Sequence, residues 1–348
     1  MANWWSGHGR DVTIFTLDDQ SATPFYQLER TVQRLGLGLV SESSGALSAI
    51  RNNVGRLLGL RRVLRERENC TVVSFGTETN CLVLLASMGL GQRVLVSERC
   101  DPKFVPDRRV WRILRRLLYP IASAVVVQTQ AARTFFSRNS RVAVIHNPVI
   151  ASESAYDRSP VVHDDALSKR PFMLAIGRLA RQKGFDLLIS AFGEIAVSHP
   201  EWSLLILGEG KERQALEDQI SRLDLAHRVR LPGVVPEPVR IYRQADLFVL
   251  SSRFEGFPNV LCEAMACGLP VISTDCPSGP GEIICNGVDG VLVPPEDVEQ
   301  LAQAMSRLMT DGHMRRALGA RASKISNRLH VDTIMAQWNS VVEELAPA

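Results

Sequence analysis

The sequence predicts an α/β protein of two domains, each built on a parallel sheet. Three observations lead there. From Val12 onward, short apolar runs of strand length alternate with amphipathic stretches of helical period, and strands alternating with helices make parallel sheets. The alternation is interrupted by a Ser- and Asp-containing stretch without period, Val149–Arg170, which reads as a linker. The chain has 348 residues, 45% of them hydrophobic, enough for more than one core. The expected division is an N-terminal domain over 1–148, a linker over 149–170, a second domain over 171–327, and a closing helix over 328–348 that crosses back to the first domain.

In the first domain the apolar runs predict strands at Val12–Leu17, Thr71–Phe75, Arg93–Ser97, Ala124–Gln128 and Val142–Ile145. Helical spacing predicts helices at Phe25–Leu35, Val54–Glu68, Asn80–Met88, Asp107–Leu118 and Gln130–Ser137. The chain opens on Ala2–Gly7, which reads as the end of a helix. A doubly wound domain has a strand and a turn before such a helix, so that first strand and its loop are expected to be missing. The second domain repeats the alternation. Its strands are expected near Phe172–Ile176, Ser203–Leu207, Val229–Leu231, Leu247–Leu250, Val271–Ser273 and Gly290–Val293, with helices starting near Gly184, Lys211, Glu237, Asn259, Gly281 and Asp297. Two further helices, Met314–Asn327 and Val331–Leu345, close the chain.

Bulk properties narrow the function. No apolar run approaches the ~20 residues that span a bilayer; Cys81–Leu90 and Ile121–Val127 are short enough to be core. The opening MANWWSGHGRD has neither a basic nor an apolar signal region. Seven scattered cysteines without a C-x-x-C pair fit reduced thiols in a cytoplasmic protein. Net charge is +3, unevenly spread: residues 1–150 hold 20 Lys and Arg against 11 Asp and Glu, and the remainder 20 against 26. A basic first half suits an anionic membrane surface or a phosphate-bearing substrate. Nucleic acid is not expected as a partner, because no nucleic-acid motif accompanies the charge.

The stretch Ser251–Ser273 carries the densest chemistry. Glu255 follows a buried strand and precedes Gly256-Phe257-Pro258-Asn259, and Glu263 falls in the first turns of the next helix. Loops at the carboxyl ends of parallel strands are where such sheets bind ligands. Paired carboxylates suit glycoside chemistry if their separation is right, and each also suits a helix start for dipole reasons alone. The loop Gly177-Arg178 to Lys183-Gly184 likewise joins a strand to a helix. Its glycines let backbone amides approach an anion, and Arg178 and Lys183 are placed to clamp a diphosphate. Gly208-Glu209-Gly210 has the start of a dinucleotide fingerprint but lacks its third glycine, with Arg213 in that place, and reads as a tight turn. Two anion-binding loops converging on one cleft, with carboxylates beside them, describe a nucleotide-sugar site.

These residues resemble a known family. Gly177-Arg178…Lys183-Gly184, Gly208-Glu209-Gly210, Pro232-Gly233, the E-x7-E pair Glu255 and Glu263 within FEGFPNVLCEAMACGLPVI, and His146-Asn147-Pro148 are similar, in order and spacing, to the retaining family-four glycosyltransferases of GT-B fold. The resemblance implies two Rossmann-like doubly wound domains facing a cleft, with a UDP-sugar donor held by the second and the acceptor by the first. It implies Arg178 and Lys183 on the diphosphate and Glu255 on the transferred sugar. Gly177 and Gly208 would line the donor site. Amides of Gly256, Phe257, Asn259, Val260 and Leu261 would hold sugar and phosphate. Glu263 would meet the ribose, and backbone near Gly233–Val234 the base. No metal or other cofactor is implied.

The stretch Asp275–Ile284, D-x-P-x-G-P-x-E-I-I, resembles the bacterial branch that builds surface and lipid-linked glycans, leaning to galacto-type donors. Glu98 and Arg99 fit the same branch, either facing the transferred sugar or forming a structural ion pair. The arginine-rich segment Asp107–Leu118 leaves two readings open, a helix lying on an anionic membrane or an ordinary surface helix. The expected activity is transfer of a hexose or N-acetylhexosamine from UDP-sugar to a growing lipid-linked saccharide, with retention, at the inner face of the cytoplasmic membrane. The alternative is an impaired nucleotide-sugar-binding protein, given the missing first unit.

Overall fold

The structure is a computed structural model that describes residues 1–345 apart from 25–26, 41–44, 105–108, 137–138, 140, 150–170 and 236–237. The expected linker, save Val149, thus lies outside the described residues. In the first half α1 (Ala2–Gly7) leads to β1 (Thr13–Thr16), and β2 (Gln33–Gly36) pairs with β1 in parallel. There follow α2 (Ala46–Arg65), β3 (Thr71–Phe75), α3 (Thr77–Ser87), β4 (Arg93–Ser97), α4 (Arg109–Leu118), β5 (Ala124–Val127), α5 (Gln130–Phe135) and β6 (Val142–Val144). β3 to β6 form a second parallel sheet in sequential order. Right-handed crossovers therefore set α3 and α4 on one side of it.

The described residues of the stretch expected to be a helix, Phe25–Leu35, contain none. Among the described residues of that stretch, Gln33 to Leu35 belong to β2. Val32 and Leu35 satisfy a helical spacing and a strand equally well over so short a run, and pairing with β1 decides for the strand. Gly36 makes the fit possible, since a Cβ there would lie 2.4 Å from the Gln20 nitrogen.

The second half contains β7 (Phe172–Ile176), α6 (Phe185–Ile195), β8 (Ser203–Leu207), α7 (Arg213–Arg222), β9 (Val229–Gly233), α8 (Pro238–Tyr242), β10 (Leu247–Leu250), α9 (Asn259–Ala266), β11 (Val271–Thr274), α10 (Pro280–Ile283) and β12 (Val291–Val293). Its strands form one parallel sheet ordered β9-β8-β7-β10-β11-β12, the doubly wound order in which chain direction across the sheet reverses between the first and fourth strands. β8, β10 and β11 are buried throughout, and β10 and Leu204–Leu207 of β8 read as unbroken apolar runs, as strands covered on both faces do. α11 (Val298–Thr310), α12 (Gly312–Ala322), α13 (Ile325–Arg328) and α14 (Val331–Glu343) complete the chain. The single helix expected over Met314–Asn327 is thus two.

The end of the chain packs on the first half. Trp338 of α14 is buried, edge-on to Trp5 at 6.4 Å and tilted against Phe75 at 6.4 Å. Trp5 donates from its indole to Asn339 (2.8 Å), and Arg10 pairs with Glu343 (2.7 Å). Among the described residues no helix is long and apolar enough to cross a membrane.

Candidate functional site

β7 and β10 lie side by side, Leu247 opposite Met173 and Phe248 opposite Leu174, but their connections leave in opposite directions. The loops at their carboxyl ends therefore part and open a crevice. These are the loops Gly177–Gly184 and Ser251–Pro258. Gly184 has φ of 62°, and a Cβ on it would stand 2.0 Å from the Ser251 carbonyl oxygen, so only glycine lets the loops touch there.

Side chains lace the two loops together. Ser251 Oγ donates to the Lys183 carbonyl (2.9 Å), the Arg253 amide to the Gln182 carbonyl (2.8 Å), and Gln182 Nε2 to the Phe254 carbonyl (3.1 Å). Arg253 grips Asp186 with two 2.8 Å bonds, reaches Glu296 at 2.9 Å and donates to the Arg181 carbonyl at 2.8 Å. Hydrogen bonds from Arg253 hold the Asp186 carboxyl below its ordinary pKa.

This lacing brings together two residues 72 positions apart. Lys183 Nζ lies 2.6 Å from Glu255 Oε1, which also accepts from Ser252 Oγ at 2.6 Å. Both side chains are largely buried, 17% exposed for Lys183 and 6% for Glu255. The sequence assigned them to different parts of one donor; the fold makes them each other's partner. Arg178 is exposed on the first loop. Gly177 lies under the Lys183 side chain, with room for a Cβ only 3.1 Å from it. Gly208 has φ of 144° and passes so close to Gly177 that a Cβ would meet its carbonyl oxygen at 1.9 Å. Glu209, next to it, is taken by Arg213 at 2.6 Å.

Glu263 sits half-buried on α9, accepting from the Tyr242 hydroxyl (3.0 Å). Burial pushes its carboxyl up, against the opposing effect of that bond. Of the other donor-loop residues, Asn259 is exposed and Val260 half-buried, whereas Val234 is 70% exposed after β9. One expectation needs correction. The Leu261 amide donates to the Pro258 carbonyl (3.0 Å) and its side chain is fully buried, so it is committed to the helix start. The side chain of Phe257 is buried and stacks on His146 at 5.2 Å, a contact with the first half.

The first half meets these loops closely. Gly256 passes over the Arg99 carbonyl, where a Cβ would be 2.8 Å away. Arg99 bonds Asn147, which donates to Asn259 (2.8 Å). Its guanidinium lies over the Phe75 ring at 4.7 Å, and burial lowers its pKa to about 10. Glu98 instead turns into the first domain, 4% exposed, accepting from Thr77 (3.1 Å) and from Tyr119. It is a core acceptor, and the sugar-facing expectation does not hold for it. Glu282 of α10 caps α5 with both oxygens, accepting from the amides of Gln130 (2.9 Å) and Ala131 (3.1 Å). An open pocket of about 360 Å³ adjoins this cap, lined by Ala131, Asp275, Ser278 and Glu282 but by neither member of the Lys183–Glu255 pair. The sequence did not single out Arg253, Asn147, Tyr242 or Glu282 as site residues. Arg253 was detectable only as a cation two residues from Glu255, and Glu282 only as the acid of the D-x-P-x-G-P-x-E stretch.

Comparison with known proteins accords with this architecture. Residues 1–148 match the model of the glycosyl transferase 4-like domain, and residues 163–325 that of the glycosyl transferases group 1. An exopolysaccharide phosphotransferase of Streptomyces coelicolor is 36% identical over 232 residues, 65% of this chain but only 24% of that protein. A Campylobacter jejuni α-1,4-N-acetyl-D-galactosaminyltransferase, named for an undecaprenol-diphosphate-linked acceptor, is 26% identical over 93% of this chain and 88% of its own. Among solved structures, Anabaena HepE in complex with UDP superposes with a TM-score of 0.76 at 22% identity, covering 90% of this chain and 86% of that one. The chain belongs to the family-four glycosyltransferases of GT-B fold.

Proposed function

We propose that this chain transfers a hexose or N-acetylhexosamine, with galacto-type sugars favoured, from a UDP-sugar to a growing lipid-linked saccharide with retention of configuration. The observation that carries the reading is the Lys183–Glu255 pair at the reversal point of the second sheet, with Arg178 exposed on the same loop as Lys183. Here the two loops present cations and a carboxylate to one crevice, as a sugar diphosphate requires. The Campylobacter relative's lipid-linked acceptor and the UDP in the HepE complex support the choice of substrates.

In this mechanism the bond between the sugar anomeric carbon and the diphosphate oxygen breaks. The acceptor hydroxyl oxygen bonds that carbon from the same face, and its proton passes to the departing diphosphate. Arg178 and Lys183 stabilise the charge that develops on the diphosphate, a contribution that grows toward the transition state. Glu255 accepts from sugar hydroxyls, and Glu263 from the ribose. The amides of Gly256 and Val260 hold the sugar phosphate at the α9 start. These cations replace a metal in our reading, so a chelator should leave turnover unchanged. The acceptor lipid would bring the basic first half to the inner, anionic face of the cytoplasmic membrane.

A donor screen by UDP release, with membrane lipid extract as acceptor, tests the proposal. Arg178→Ala and Lys183→Ala should weaken UDP binding, whereas Glu255→Ala should lose turnover while retaining most UDP affinity. UDP binding without release from any UDP-sugar would replace transfer with nucleotide-sugar binding alone.

A further inference from the structure

The first domain carries a surface that the transfer chemistry does not use. α3 is buried over most of its length, from Thr77 to Ser87. α2 and α4 share one apolar cluster with it, to which Leu60, Leu64, Trp111 and Leu118 contribute. After covering α3, each flanking helix still leaves an apolar stripe in solvent. On α2 the stripe is Ile50, Val54 and Leu58, one helical turn apart. On α4 it is Val110, Ile113 and Leu117, continued by Ile121. Every one of these side chains is between 48% and 66% exposed.

Charge selects the occupant. Arg51, Arg62 and Arg65 are exposed on α2, Arg62 lying 4.0 Å from Glu66 just past the helix, and Arg109, Arg112 and Arg116 are exposed on α4. Neither helix contains an acidic residue. Arg115, which the sequence grouped with the others, is buried over the Phe135 ring at 5.1 Å and does not take part. Apolar stripes bordered mainly by arginine, with exposed acids at Glu66 after α2 and Glu78 on α3, match a partner that is hydrocarbon below and anionic above. The arginine stems lie along the apolar layer while the guanidinium groups stay among phosphates.

We propose that α2 and α4 together form a docking surface for an anionic lipid bilayer, engaging it with two helices rather than with the arginine-rich helix alone. The proposal deepens the lipid-linked-acceptor reading and rests on it for its biological purpose.

The test is co-sedimentation of the full chain with phosphatidylglycerol/phosphatidylethanolamine vesicles and with phosphatidylcholine vesicles. Binding should be confined to the anionic vesicles and should weaken with salt. Arg112→Glu/Arg116→Glu should lower affinity by more than tenfold, since each arginine at such a surface is worth about fivefold. Val54→Asn/Leu58→Asn on α2 and Ile113→Asn/Leu117→Asn on α4 should each lower it about tenfold, with UDP release to a soluble acceptor unchanged. Unaltered vesicle affinity in the α2 variant would overturn the two-helix surface. So would self-association that these variants abolish in a chain that binds no vesicles. Vesicle binding that follows the expected pattern in a chain that turns over no donor would leave the surface standing and remove the transfer reading.

Discussion

In the second half of the chain six parallel strands form one sheet, β9-β8-β7-β10-β11-β12; in the first half the parallel strands divide into β1-β2 and β3-β4-β5-β6. The difference extends to side chains. β8, β10 and β11 are buried at every position, while β1 is half-exposed and Phe75 at the end of β3 is exposed. The second half holds its loops with its own residues, through Arg253, Asp186, Ser251 and Gln182. The first half is braced by the far end of the chain, through Trp338, Asn339 and Glu343. One half is thus organised around a crevice whose loops its own residues lace together. The other is assembled against elements distant in sequence and keeps apolar helix faces outward.

The largest test of this contrast removes the pin of the crevice. Lys183→Met leaves Glu255 buried without its cation and should cost ~3–5 kcal/mol of unfolding free energy, as loss of one partner of a buried pair does. The double variant Lys183→Met/Glu255→Leu should recover most of it in the same denaturant melts. A single variant as stable as the parent would mean that the second half does not depend on the pair.

A smaller effect is expected where the halves meet. Glu282→Ala removes the carboxylate cap of α5, worth ~1 kcal/mol by analogy with helix caps. Hydrogen exchange at the Gln130 and Ala131 amides should rise while UDP affinity stays within about twofold. Loss of UDP affinity in this variant would merge the cap with the crevice and blur the contrast.

The smallest effect concerns pH. Burial raises the Glu263 carboxyl, so the folded chain holds that proton to higher pH than the unfolded chain. Its contribution to stability is therefore complete below the ordinary carboxylate pKa and is lost as pH rises through the raised value. Asp186, held down by Arg253, acts oppositely: its contribution is present above the ordinary carboxylate pKa and is lost as pH falls through the lowered one. Thermal unfolding of Glu263→Gln across the acid range should lack the first slope and retain the second.

Much of this was legible from the chain. β4, β7, β8 and β10 coincide with apolar runs read from sequence, because a strand buried on both faces needs no partner to reveal it; β3 also lies where it was expected, although most of its residues are only half-buried. The glycine-bounded loops and the Glu255–Glu263 spacing were equally visible, since their chemistry is local. β2 was hidden because four residues satisfy two periods, and the choice lay in pairing with β1. The inward turn of Glu98 and Arg115 was hidden for a related reason: a residue's identity does not say which side of its element will be covered.

The sequence by itself determined the alternation of elements, the loops that end the strands of the second sheet, and the residue types those loops offer. Local periodicity and backbone freedom specify all three within a few residues. Only the tertiary structure decided that Lys183 and Glu255 meet, that Arg253 binds their loops together, that Glu282 caps a helix of the other half, and that two helices leave apolar stripes in solvent. Each of these depends on the order of strands in a sheet and on what packs over a helix, which are relations between segments far apart in the chain.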